Sequence, residues 1–251
     1  MLKRRSLLPM VALLCSTLTT VAQTPPPMAA PPVIDPDQKM FVITYIDVAP
    51  TKVKQATAVI AAYKAAAAKA QGLTRFDALQ RIGIANQFAL IQNWGANKLE
   101  ESHEASTVYK KFRSTIGPLM IAAYDERKHI DLNSGEIGKV GANAIFVATH
   151  VDIIPTLKDK GVAAVKVLAD KSRGTTGNLR FDALTQYSRQ NHMTLVEIWR
   201  TRGDQEKHAV AADTTSFRQA LSTMSGSLFD ERLYRPVVAP AKEAASFRSR
   251  R

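Results

Sequence analysis

Two kinds of hydrophobic pattern alternate along this chain, and the alternation runs through twice. From Met40 to Val48 the residues are mostly β-branched or aromatic, which predicts a strand. Pro50-Thr51 opens a helix that runs through the alanine-rich stretch Ala56 to Ala70 and stops at Gly72. Alanine is the strongest helix former, and glycine is the usual residue past a helix end. Thr74 to Arg81 and Gln87 to Trp94 predict a hairpin turning at 83–85. Lys98 to about Lys111 has helical spacing, a short helix broken around Gly117-Pro118 follows, and Arg127 to Leu132 closes the unit with a strand. The order is β-α-β-β-α-β. Beyond a glycine-containing segment the same order returns: strand 145–153, helix 157–173, strands 178–187 and 191–199, helix 203–217, a short helical piece and a strand at 231–237.

The patterns recur because the sequence does. Gly72-Leu-Thr-Arg-Phe-Asp-Ala-Leu79 reappears as Gly177-Asn-Leu-Arg-Phe-Asp-Ala-Leu184, 105 residues on, and residues 41–129 share 23 identities in 89 ungapped pairs with their second copies. Solenoid repeats run to about 20–50 residues, so this period marks a small domain that has been duplicated. A β-α-β-β-α-β unit is the ferredoxin-like motif, an antiparallel sheet with both helices on one face. The uncovered face is a large apolar patch if left alone, and two copies can bury it against each other.

Charge and cysteine content change the picture mainly at the termini. Lys3-Arg4-Arg5 precedes an apolar run from Leu7 to about Val21 and a small-residue site around 20–22, which reads as a signal peptide over 1–22. Arg4-Arg5-Ser-Leu-Leu resembles a twin-arginine core with Lys3 out of pattern, and Cys15 stands where a lipoprotein cysteine could, behind a bulky Leu14. Sec-type export to the periplasm or the medium is the expectation, with membrane contact only through that signal. A proline-rich linker follows at 23–39. Cys15 is the only cysteine, so no thiol chemistry is expected after cleavage. Of the net charge of +12, three units lie in Lys3–Arg5 and three in the basic tail 238–251. The remaining six are spread over the body with no dense basic stripe, so nucleic acid is not an expected partner.

A strand ending in Trp94, followed on the next helix by His103 and then Phe112, is matched by Trp199, His208 and Phe217 in the second copy. With the β-α-β-β-α-β order, this resembles the antibiotic biosynthesis monooxygenase (ABM) family of the dimeric α+β barrel superfamily. The resemblance covers about 41–130 and 145–236. It implies an α+β fold in which two ferredoxin-like domains, at 40–132 and 144–237 with a linker at 133–143, form an intramolecular dimeric α+β barrel. Such a chain is a monomer with a fused pseudo-dimer, with further association left open. Members of the family include cofactor-free oxygenases of aromatic polyketides, quinol oxidases and haem-degrading relatives. The activity the resemblance implies is a cofactor-independent monooxygenase taking a small aromatic or quinol-like substrate and molecular oxygen, with no metal. A haem-binding or haem-degrading protein and a non-catalytic envelope ligand-binding barrel are the alternatives.

His103 and His208 are the candidates for a general base, since imidazole titrates near neutral pH. The other reading is that each braces a helix against the sheet. Trp94, Phe112, Trp199 and Phe217 form pocket walls or core anchors. Asn86 and Asn191 are substrate hydrogen-bonders or turn residues. Tyr45 and His150 hold equivalent places on the first strand of each unit, on the faces of Phe41 and Phe146 respectively. Both are candidates for substrate binding, with His150 either a second imidazole of the site or a residue at the seam between the domains. Arg75-Phe-Asp77 and Arg180-Phe-Asp182 predict ion pairs that meet at the seam between the units. No phosphate loop, His-x3-His or carboxylate cluster with metal-ligand spacing, or Gly-x-Ser-x-Gly is present.

Overall fold

A computed structural model of the chain describes residues 33–238. The stretch read as a signal peptide, the linker as far as residue 32 and nearly all of the basic tail lie outside the described residues. The first repeat comprises β1 (Met40–Asp47), α1 (Val53–Ala67), β2 (Leu73–Arg81), β3 (Gln87–Trp94), α2 (Asn97–Glu104), α3 (Thr107–Ile116) and β4 (Asp125–Asn133). The second comprises β5 (Ile145–Asp152), α4 (Lys158–Arg173), β6 (Asn178–Gln186), β7 (His192–Trp199), α5 (Arg202–Ala209), α6 (Ala212–Leu221) and β8 (Asp230–Pro236).

All eight strands join one closed antiparallel barrel in the order β1-β3-β2-β8-β5-β7-β6-β4. Each repeat contributes four neighbouring strands, β4-β1-β3-β2 and β8-β5-β7-β6. The seams are reciprocal: β2 pairs with β8 around Gln80–Arg235, and β4 pairs with β6 around Ile130–Thr185. Closure removes every open sheet edge, the usual liability of an antiparallel sheet.

Strand alternation sorts the core into three layers. Phe41, Ile43 and Tyr45 of β1 point inward with Phe146 and Ala148 of β5, Leu184, Ile198 and Tyr234, so the interior is filled by side chains of both repeats. On the outside, Ile46, Phe76, Phe88 and Leu90 pack beneath Ile60 and Tyr63 of α1 and Phe112 and Ile116 of α3. Val147, Phe181, Met193 and Leu195 do the same beneath Val165 and Leu168 of α4 and Phe217 of α6.

The structure differs from the sequence-based expectation at the second helix of each repeat, which is two short helices rather than one. In the first repeat the break falls at Ala105-Ser106, where the Ser106 hydroxyl accepts a hydrogen bond from the Tyr109 amide and starts α3 afresh. Serine at that position favours a cap over a continuous helix. The second repeat breaks at the corresponding Val210-Ala211. Turning the chain there lets α2 and α3 each bury one face: Asn97, Glu100 and His103 on the first, Phe112 and Ile116 on the second.

The glycine that opens the repeated motif is required at both places. Gly72 and Gly177 have φ of 82° and 88°, and a Cβ on Gly177 would stand 2.4 Å from Cγ of Asp204. Gly177→Ala is expected to cost about 1–3 kcal/mol. Gly203→Ala on α5 finds open space, with its nearest neighbour at 3.9 Å, and is expected to add about 0.5–1 kcal/mol. Denaturant unfolding of the two variants checks both signs.

Candidate functional site

Each tryptophan ends a barrel strand and each histidine lies on the buried face of the short helix that follows, so strand and helix together bring the rings into contact. In the first repeat the Trp94 and His103 rings are 4.9 Å apart. Tyr63, on the buried face of α1, completes the group: its hydroxyl lies 2.9 Å from His103 Nε2, and its ring stacks on Phe112 at 4.0 Å. Gln92 Nε2 donates to the Tyr63 oxygen at 3.3 Å. With the His103 ring proton on Nδ1, the Tyr63 hydroxyl donates to Nε2 while accepting from Gln92; with it on Nε2, the ring donates to the tyrosine oxygen. Burial holds the His103 pKa below its ordinary value, so the imidazole is neutral at pH 7. Trp94 Nε1 is buried without a hydrogen-bond partner.

The second repeat keeps the Trp and His but changes their surroundings. Trp199 and His208 are 4.4 Å apart. Leu168 replaces Tyr63, and His208 Nε2 meets Ser172 Oγ at 2.9 Å and Thr214 Oγ1 at 3.2 Å. Glu197 replaces Gln92 and accepts from Trp199 Nε1 at 2.7 Å. Burial raises the Glu197 carboxyl to about 8 and lowers His208 to about 4, so both are neutral at pH 7 and their 3.9 Å approach is not an ion pair.

Outside each group lies a groove between the two long helices. The first, about 350 Å³ between α1 and α3, is lined by Val59, Ala62, Tyr63, Ala66, Val108 and Phe112 among others. The second, about 330 Å³ between α4 and α6, includes Leu168 and Phe217. There Lys171 and Asp213, standing where the first repeat has Ala66 and Val108, form a 2.6 Å ion pair from α4 to α6. The first groove is largely apolar, with Lys111 and Thr115 also in its lining, and the tyrosine in its wall reaches a neutral imidazole. The second has a leucine in that place and carries a charged pair.

The remaining candidates fall elsewhere. Asn86 and Asn191 donate from Nδ2 to the carbonyls of Val48 and Ile153, fastening the hairpin to the end of β1 and β5. Tyr45 is buried inside the barrel between Arg127 and Arg232, whose guanidinium carbons lie 5.1 and 5.2 Å from its ring centre. His150 is half-buried where β5 ends, in an open cavity of about 910 Å³ that also takes in Arg127, Asp152 and His192. At the opposite end, Arg180 reaches Asp182 at 2.7 Å and Asp77 of the other repeat at 3.7 Å, as expected for the repeated Arg-Phe-Asp triplet. In both repeats the histidine Nε2 is engaged by a hydroxyl, that of Tyr63 for His103 and that of Ser172 for His208.

Sequence reading missed Tyr63, although it is the one aromatic residue of α1 and has no counterpart in α4. It also missed His192 as a partner of His150 and Asp152. Their separation in sequence follows no ligand motif, and only the pairing of β5 with β7 brings them together.

These features define a class: an α+β protein whose two repeats share one eight-stranded antiparallel barrel, with helices packed on its outside. Solved structures share it over both repeats. A candidate monooxygenase from Fusobacterium nucleatum superposes with a TM-score of 0.72 at 12% identity, covering 80% of this chain and 93% of its own. A second candidate monooxygenase, from Lactobacillus acidophilus, gives 0.66 at 13% identity over 80% and 95%. An anthrone oxidase-like protein gives 0.63 at 13% over 84% and 97%. The resemblance read from the Trp and His positions thus extends to a fold shared with proteins of monooxygenase name. No family model matches the chain, and no curated protein does.

Proposed function

We propose that this chain is an exported ABM-type monooxygenase, two ferredoxin-like units fused into one barrel, that needs no cofactor and oxygenates a small aromatic substrate with an acidic C–H or O–H. The observation that carries this reading is the 2.9 Å hydrogen bond between Tyr63 and the neutral His103 beside a largely apolar groove. A flat substrate lying against Tyr63 and Phe112 loses a proton through the tyrosine oxygen to His103. The resulting carbanion reduces dioxygen directly, so an activated methylene becomes a carbonyl and the second oxygen atom leaves as water. The protein supplies a base, orientation and exclusion of water. The second repeat, with Leu168 in place of Tyr63, is scaffold.

Oxygen uptake with anthrones and hydroquinones tests this. Uptake is expected to fall by about 10²–10⁴ in Tyr63→Phe and His103→Ala and to be unchanged in His208→Ala. Equal rates in Tyr63→Phe, His103→Ala and the parent would overturn the assignment. One observation favours a ligand-binding barrel without turnover: Trp94, His103 and Phe112 are only 2%, 7% and 3% exposed and fill their own site. That reading predicts saturable binding of the same aromatics with no oxygen consumed.

A further inference from the structure

The open end of the barrel carries a cluster that the proposed oxygenase chemistry does not use. His150 and Asp152 are two residues apart on β5 and share a face, and His192 on β7 pairs directly opposite Asp152. His150 Nε2 and His192 Nδ1 lie 2.8 and 2.5 Å from the same oxygen, Asp152 Oδ1, and all three ligand atoms fall within 4.8 Å of one another. Yet that oxygen accepts no hydrogen bond of acceptable geometry. Two ring nitrogens crowd one carboxylate oxygen without being directed at it as hydrogen-bond donors.

The first repeat supplies an internal control. At the equivalent positions it has Tyr45, Asp47 and Gln87, and Gln87 Nε2 donates to Asp47 Oδ2 at 2.9 Å. There the carboxylate has an ordinary amide partner. In the second repeat the aspartate is kept while both neighbours are imidazoles.

We propose that His150, Asp152 and His192 form a mononuclear site for a divalent transition metal ion of the Zn²⁺ or Fe²⁺ class. Two imidazoles and one carboxylate suit such an ion and leave coordination positions open. Ligands about 2.1 Å from a metal stand roughly 3 Å apart at octahedral angles and about 3.4 Å apart at tetrahedral ones. The two nitrogen–oxygen spacings of 2.8 and 2.5 Å therefore need to open by about 0.2–0.9 Å. The side chains are 17–21% exposed and face the 910 Å³ cavity, which gives an ion its path in.

Charge is arranged compatibly. Arg127 is held by Asp125 at 2.6 Å and Arg232 by Asp230 at 2.5 Å, so each guanidinium has a carboxylate of its own, while Asp152 pairs with the imidazoles and Arg189 also lines the cavity. One contact opposes binding. Arg127 Nη1 lies 3.4 Å from His150 Nδ1, and a metal at Nε2 puts the ring proton on Nδ1, so this long contact must give way.

The test is calorimetric titration of the untagged protein with Zn²⁺, paralleled by the visible absorption of added Co²⁺. One ion per chain at micromolar affinity or tighter is expected. His150→Tyr and His192→Gln, which install the residues the first repeat carries, are each expected to weaken binding by about 100-fold or more while circular dichroism is unchanged. Absence of saturable binding below roughly 100 μM, or binding that survives both substitutions, overturns the proposal. The site lies apart from the Tyr63–His103 groove, so failure here leaves the oxygenase reading standing, and the reverse.

Discussion

Replacing Arg180 by methionine is expected to destabilise the barrel by about 3–5 kcal/mol, because it leaves a buried carboxylate without its counter-charge. Arg180 is fully buried, Asp182 is 1% exposed, and Arg180 Nη2 also donates to Asn93 Oδ1 of the other repeat at 3.2 Å. With Asp77 also within reach, one guanidinium serves both repeats at the end of the barrel opposite His150. Asp77 has its own partner in Arg75, so Asp182 is the group stranded by the substitution. Arg75→Met, at the equivalent place in the first repeat, is expected to cost about 1 kcal/mol or less, because the Arg75 side chain is 24% exposed and water screens the pair. Adding Asp182→Leu to Arg180→Met removes the stranded charge and is expected to recover more than half of the loss. Urea midpoints of the two single variants and the double variant measure all three. Equal losses for Arg75→Met and Arg180→Met would show that burial does not set the cost.

The same triplet shows how much of the molecule was legible in its sequence. Periodicity and the ungapped repeat gave the element order, the duplication and the meeting of Arg-Phe-Asp pairs at a seam, since each rests on local spacing or on symmetry. The contact between Trp94 and His103 was likewise foreshadowed by strand-end and helix positions. Tyr63 was not, because an alanine-rich helix declares only its propensity, and which of its faces meets α2 depends on packing. His150, Asp152 and His192 were out of reach for another reason. They converge only after β5 and β7 pair in register, and the 40 residues from Asp152 to His192 hold a helix and a strand that no local pattern spans.

Glu197→Gln is expected to change the pH dependence of stability more than its value in acid. Folded Glu197 titrates near 8 because burial outweighs the hydrogen bond from Trp199, against 4.5 for an ordinary glutamate. The folded state therefore holds a proton that the unfolded chain releases. The stability tied to that proton is fully present below about pH 4.5 and is lost as pH rises to about 8, at roughly 1.4 kcal/mol per pH unit. His208 acts in the opposite direction. Its folded pKa of about 4 lies below the ordinary 6.5, so its contribution is lost as pH falls from 6.5 towards 4. Between about 4.5 and 6.5 the slopes of these two groups offset each other. Above 6.5 only Glu197 of the pair still titrates, and Glu100, raised by burial to about 7, acts in the same sense up to that pH. Glutamine mimics the protonated acid, keeps an oxygen for Trp199 Nε1, and is what the first repeat carries as Gln92. The variant is expected to match the parent near pH 4 and to exceed it by several kcal/mol at pH 8. Unfolding curves that stay parallel from pH 4 to 8 would mean that Glu197 is ionised in the fold. An acid that stays protonated at neutral pH cannot orient His208 as a carboxylate orients a catalytic histidine, and Gln92 at the same place leaves His103 to be held by Tyr63 instead.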